Sequence, residues 1–360
     1  MAPQHALVNL SPAELSFLRS TLAQTPPIRL DVTKGPRDFR SMRAEYDVLP
    51  SANGSARIAL EDGTEALVGV KAEVERSPQR PTLGEQEDVL MGDSEETDDG
   101  KGKGQNSWVE MSVEIPGFRE DDALPVFLSS MLTESLLASG ELKDRLYINR
   151  RFHWKIYVDI LLLSPPLSYP LALLSMATHL ALLTTRLPAL KSEKDEDPLF
   201  DDDWDASIPL YPKNNTKVAK ATQTGRPPVI ILAMAVGPNI IFDPCKEELA
   251  VADAVLAIAC TNSTSSPTGA RIVSIRTIDP PSHLTPPGVP NSMNSATGGT
   301  VPTSSADALT QRELLAESGV WTPPRGGMKR GLISQVTKMV VEHGGVAEEV
   351  ISALAAIEVG

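Results

Sequence analysis

The sequence predicts an α+β fold of two strand-rich halves, each with helices packed on one side. Three observations predict it. Runs of β-enriched residues recur before and after an acidic and polar stretch, over residues 56–163 and 229–275. Segments of helical periodicity, bounded by capping residues, prolines and glycines, lie between and after those runs. One of them, residues 171–187, is apolar nearly all round, which places it at the centre of the fold.

The elements follow in order. Ser11-Pro12-Ala13-Glu14 supplies an N-cap, a proline at the first helical position and a glutamate able to reach back to the cap. Leu15, Leu18 and Leu22 then share one face before Pro26-Pro27, so a short amphipathic helix is expected over 11–24. Residues 56–61 and 64–74 form the arms of a hairpin about Asp62-Gly63. Residues 108–115 alternate Val109, Met111, Val113 and Ile115 with Glu110, Ser112 and Glu114, which is a half-buried strand. A helix over 123–139 ends at Gly140, a strand over 154–163 has a second half apolar on both faces, and Pro188 stops the central helix. The second half offers strands at 229–236, 239–242, 254–260 and 271–275, then helices at 306–318 and 329–343 that end at Gly319 and Gly344.

The domain organisation expected from this is an N-terminal helix and lead-in over 1–27 and a first half over 28–190 with an acidic insertion at 84–107. An acidic and polar linker over 191–225 leads to a second half over 226–360, itself carrying a Ser/Thr/Pro-rich insertion. The 360 residues suffice for two compact units, and 41% hydrophobic with 22% charged residues is the composition of a globular protein. Net charge is −14, but residues 84–100 hold eight acids and no base, and 191–205 eight acids and two bases. Those two windows carry the whole excess, so the remainder is formally neutral and contact with RNA is not excluded.

No export signal pattern opens the chain. The uncharged stretch 160–185 is interrupted by Pro165, Pro166 and Pro170, leaving too few residues to cross a membrane that needs about 20. Cys245 and Cys260 sit in apolar segments without a CxxC, so both are expected to be reduced core thiols of a cytosolic or nuclear protein. Five histidines lack metal-ligand spacing, and His153 and His179 are expected to be structural. No metal and no cofactor is called for.

Asn53-Gly54-Ser55-Ala56-Arg57 and the run from Asp62-Gly63-Thr64 to Val74 resemble the opening hairpin of the ribonuclease PH family. The resemblance continues through Trp154-Lys155-Ile156-Tyr157-Val158-Asp159, Thr184-Thr185-Arg186-Leu187-Pro188 and Asn239-Ile240-Ile241-Phe242-Asp243-Pro244 with Glu247-Glu248, so it spans both halves. It implies a ribosomal protein S5 domain 2-like fold. Within the family, Asn149-Arg150-Arg151-Phe152-His153-Trp154 and the run Glu196-Asp197-Pro198-Leu199-Phe200-Asp201-Asp202-Asp203-Trp204 are most similar to fungal ring subunits of the RNA exosome. One departure stands at the start, where the family's Arg-Pro-Asp-Gly-Arg is replaced by Arg29-Leu30-Asp31-Val32-Thr33.

Phosphorolysis by this family needs a cationic pocket for phosphate and carboxylates for a divalent metal, because the attacking phosphate and the RNA backbone repel each other. Active members place Gly-Gly-Thr-Arg before the central helix; here the matching residues are Pro166-Leu167-Ser168-Tyr169. Ser168 could cap the helix, but the phenol of Tyr169 is no cation. Of two carboxylates six residues apart, Asp243 matches the first and Leu249 replaces the second. Arginines that face RNA from the helix over 123–139 are matched by Glu134 and Leu137. These losses imply a degenerate, catalytically silent subunit with ring neighbours of the same family and RNA-binding cap subunits. Single-stranded RNA would pass through the ring pore, and the location would be nucleus, nucleolus and cytoplasm.

Of the remaining features, Asp243 before Pro244 is expected to be a turn residue, Glu247-Glu248 a solvated pair, and Arg57 and Lys71 exposed strand residues. Lys143, Arg145, Arg150, Arg151 and Lys155 form the best candidate basic surface for RNA. The alternative is an active phosphate-dependent 3′–5′ exoribonuclease, which would need Asp243 and an unrecognised basic group to replace what is missing. A free-standing RNA-binding adaptor is disfavoured by the scarcity of stacking aromatics.

Overall fold

The computed structural model describes residues 10–77, 104–192, 196–211, 225–262, 270–288 and 320–358. Helix α1, Pro12–Leu22, opens with both halves of its capping box: Glu14 N–H donates to Ser11 Oγ at 3.3 Å and Ser11 N–H to Glu14 Oε2 at 2.7 Å. Its buried face is Leu15, Leu18 and Leu22, as the spacing predicts.

The first sheet has the order β1-β2-β3-β5-β4, from β1 Met42–Tyr46, β2 Gly54–Leu60, β3 Glu65–Arg76, β4 Val109–Glu114 and β5 Phe152–Leu162. Gly63, at φ 84°, makes the β2–β3 turn. All pairings are antiparallel except β4 with β5, and a parallel pair needs a crossover. Helices α2, Ala123–Leu137, and α3, Glu141–Arg145, supply it. Leu124, Leu128, Leu132 and Leu136 of α2 are buried at a spacing of four, and α2 packs on β4.

Two expectations are corrected in this half. The end of β5 is not apolar on both faces of a covered sheet: Ile160 and Leu162 are buried, whereas Leu161 and Leu163 are exposed, so the two-residue alternation runs to the end. The central helix α4, Leu171–Thr184, stops before Pro188. Thr185 turns extended with its hydroxyl on Ala181 O at 2.8 Å, and the chain pairs as β6, Arg186–Leu187, with β7, Ile208–Pro209.

Every α4 residue from Leu171 to Leu183 is buried, because α4 lies against β2 and β3 of one sheet and against the second sheet as well. Gly54 permits the close approach of β2: a Cβ there would stand 2.6 Å from both Ala181 O and Thr185 Cα. The second sheet has the order β11-β10-β8-β9, all antiparallel, from β8 Val229–Val236, β9 Asn239–Phe242, β10 Ala254–Asn262 and β11 Ala270–Ile278. All of β8 is buried, and Ile230 N–H donates to Ser175 Oγ of α4 at 2.8 Å. Helices α5, Lys246–Leu249, α6, Arg330–Val341, and α7, Val346–Glu358, complete the described elements. Helix α6 packs on β11 and α7 on β10.

The first acidic window, most of the Ser/Thr/Pro-rich insertion and the helix expected over 306–318 lie outside the described residues. The second acidic window is less detached than a solvating linker. Phe200 packs on Trp154 with ring centroids 5.0 Å apart, Leu190 bridges to Phe200, and Asp201 pairs with Lys191 at 2.9 Å. No helix among the described residues is long and apolar enough to cross a membrane.

Candidate functional site

Four segments meet where the two halves join. Arg40 comes from the lead-in before β1, Asp62 from the β2–β3 turn, Ser168 from the loop before α4, and Asp243 from the end of β9. The guanidinium of Arg40 binds them together. Its Nε and Nη2 donate to the two oxygens of Asp243 at 2.9 and 2.6 Å, and its Nη1 donates to Asp62 Oδ2 at 2.6 Å and to Ser168 Oγ at 2.7 Å. The Arg40 backbone N–H adds a further bond to Asp243 Oδ2 at 2.8 Å. Burial works against the Arg40 charge, yet the hydrogen bonds and attraction of Asp243 and Asp62 outweigh it and raise its pKa. At Asp62 burial is likewise overcome, by Thr64 N–H and by Arg40, and the pKa is lowered.

These contacts involve two of the four positions expected to be degenerate, Ser168 and Asp243. Ser168 does not cap α4, whose first residue follows Pro170 with no side-chain cap; its hydroxyl serves Arg40. Tyr169 is buried, and desolvation pushes its phenol pKa up, so it is neutral at ordinary pH. Asp243 is more than a turn residue: it has φ 46° and spends both carboxylate oxygens on Arg40. Leu249 is buried in α5. The set does not fit a divalent metal, since Leu249 offers no oxygen and the Asp243 oxygens already accept from a cation. Among the described residues no cluster of three His, Cys, Asp or Glu could hold a metal ion.

A second arginine reinforces the first. Arg29 forms a two-bond pair with Glu248, Nε to Oε1 at 3.0 Å and Nη2 to Oε2 at 2.9 Å, with side chains 5% and 1% exposed. It also donates to the carbonyls of Gly35, Asp38, Phe242 and Asp243. Glu248 is therefore not one of a solvated pair; it neutralises a buried cation and accepts from Cys245 N–H at 3.0 Å to start α5. Arg29 keeps the first residue of the family's opening motif, from which Leu30, Val32 and Thr33 depart. Arg40 carried no local signal.

Of the five cations suggested for RNA contact, Lys143, Arg145, Arg151 and Lys155 already engage neighbours within the protein. Arg145 lies over the Tyr211 ring at 4.7 Å and donates to Leu210 O at 3.1 Å, turned towards the protein. Arg151 pairs with Asp197 at 2.9 Å, and Lys155 with Glu110 at 3.2 Å and Glu75 at 3.5 Å. Lys143 donates to Asn106 Oδ1 at 3.4 Å, and Arg150 is exposed. Glu134, at a position where active members carry arginine, is itself paired with Arg276.

The two histidines are structural. His153 Nδ1 meets Ser77 Oγ at 2.9 Å and its ring stacks on Trp108 at 4.3 Å. His179 is wholly buried, with Nδ1 2.7 Å from Pro227 O; a carbonyl only accepts, so Nδ1 carries the proton. Burial lowers its pKa to about 4.

Residues 38–188 match the family model described as 3′ exoribonuclease family, domain 1. The chain is 33% identical over 257 residues to the exosome complex component RRP42 of Saccharomyces cerevisiae, covering 71% of this chain and 83% of that protein. It is 31% identical over 266 residues to the exosome complex component rrp42 of Schizosaccharomyces pombe, covering 70% and 78%. Among solved structures it is similar to the archaeal exosome core, at 19% identity and TM-score 0.47, over 85% of this chain and 96% of that one.

Proposed function

Since the chain belongs to the RNase PH family of exosome components, we propose that it is a non-catalytic ring subunit of an RNA exosome. It would scaffold 3′–5′ RNA processing and degradation carried out elsewhere in the assembly. The observation that carries catalytic silence is the occupation of the site by the protein's own charges: Arg40 neutralises Asp243 and Asp62 and takes the Ser168 hydroxyl. Phosphorolysis requires uncommitted positive charge where phosphate binds and uncommitted carboxylate where a metal binds. Here each cancels the other within a partly buried network. Tyr169 and Leu249 supply neither charge.

In this reading the chain sits in a six-membered ring with other RNase PH-like subunits, under RNA-binding cap subunits, and single-stranded RNA passes through the pore. The compartments are nucleus, nucleolus and cytoplasm. The assembly is tested by tagging the full chain, purifying it from its native cells and weighing the intact complex. One copy per ring beside different RNase PH-like subunits is expected. A complex built only from copies of this chain would overturn the assignment.

A further inference from the structure

We propose that the open cleft between the β8–β9 turn and the segment leading into α6 is a second RNA contact, one that grips the phosphate backbone without reading sequence. The inference rests on the family reading above for its ligand, since RNA is the polyanion that a member of a 3′ exoribonuclease family meets. Its location rests on charge and shape alone.

The cleft measures about 1280 Å³, beyond the ~300–1,000 Å³ of a small-molecule pocket, so it suits a length of polymer. Arg19, Arg325, Lys329 and Gln335 line it. Asp253 is the one acid among its described lining residues, and it is already held by Arg19 at 2.7 Å and by Gly237 N–H at 2.8 Å. Arg325 and Lys329 are exposed, and neither meets a carboxylate among the described residues. In a chain of net charge −14, residues 322–341 contain Arg325, Lys329, Arg330 and Lys338 and no acid.

The backbone favours an anion as well. Gly326 and Gly327 have φ 76° and 88°, and nothing stands within 4 Å of where a Gly327 Cβ would be, so a ligand can approach the main chain closely. Helix α6 begins beside them with no side-chain cap on its first amides. Aromatic rings are missing from the lining residues described, which disfavours base stacking and leaves the phosphates as the recognised groups. The cations between α3 and β5 differ in just this respect, because Arg151 and Lys155 already hold carboxylates.

The test uses the protein purified through a tag on the full-length chain, with whatever subunits accompany it. Binding of a labelled oligouridylate is followed across a salt series for the parent, for Arg325→Gln with Lys329→Gln, and for Arg43→Gln with Arg276→Gln, two arginines already paired with Glu45 and Glu134. Each phosphate contact on a single strand contributes a slope of about 0.7 in log affinity against log salt. The cleft variant should lose about 1.4 of slope and bind about 25-fold more weakly at 0.1 M salt. The second variant, with equal charge removed, should keep the parent's slope. An unchanged slope in the cleft variant overturns the proposal, as does an equal loss in both variants, which would mean a general field effect. Preferential loss of binding to a poly-glutamate peptide with RNA affinity intact also overturns it, in favour of an acidic protein partner. Ring subunits present with the slope unchanged would sink the cleft and spare the ring; the slope lost with no ring subunits present would do the reverse.

Discussion

Glu248 is held inside the protein by Arg29, and the two come from positions 219 residues apart. Breaking a buried pair from one side leaves an uncompensated charge, at about 3–5 kcal/mol. Arg29→Met should therefore lower stability in urea by that amount, and Arg29→Met with Glu248→Met should recover part of it; a single variant no worse than the double would contradict the buried pair. His179 gives a pH test. Its folded pKa of about 4 lies below the ordinary 6.5, so its stabilising effect is complete above pH 6.5 and is lost as pH falls towards 4. Between pH 7 and pH 4 the parent should lose about 3 kcal/mol more than His179→Gln, whose side chain does not titrate. Parallel pH profiles would show that the ring is solvated in the folded state. Ser168, Tyr169, Asp243 and Leu249 were singled out in sequence because each stands at a motif position. The arginines that occupy the site were not, because Arg40 meets Asp243 and Arg29 meets Glu248 across more than 200 residues, and no local pattern encodes such a meeting.

Elements with a local rule were the most legible. The capping box of α1, the Asp62-Gly63 turn and the alternation of β4 each follow from side chains within a few positions. Strand β1 was missed because its side chains are only half-buried or exposed, leaving no alternation to read. Helix α7 was missed because Gly344-Gly345 reads as an end, and Gly344 at φ 70° is indeed the turn that lets α6 fold back on α7. The early end of α4 is set by β6 pairing with β7, a partner some twenty residues further on. These differences bear on the acidic windows. Deleting 84–100 should leave circular dichroism and melting temperature unchanged, because loop-closure cost changes slowly with length and this stretch lacks apolar periodicity. Deleting 196–205 should lower the melting temperature, since it removes Phe200 from Trp154 and Asp197 from Arg151. If both deletions melt like the parent, the packing of the second window carries no stability.

Across the whole molecule, α4 is the shared core element: it is covered by strands of both sheets and tied to β8 through Ser175. Outside that core, Leu161, Leu163, Leu167, Leu199, Trp204 and Ile208 remain exposed. A ring would cover such surface, so the isolated chain should melt at a temperature that rises when partner subunits are added. A sharp transition indifferent to partners would argue for a self-sufficient monomer. The proposed closure of the site by Arg40, in this member of an exoribonuclease family, predicts catalytic silence. It is tested most directly by incubating the purified chain with single-stranded RNA, phosphate and Mg²⁺ and resolving the products by length. The RNA should stay full length for the parent and for Asp243→Ala alike. A 3′-to-5′ ladder that requires phosphate and disappears in Asp243→Ala would contradict the account.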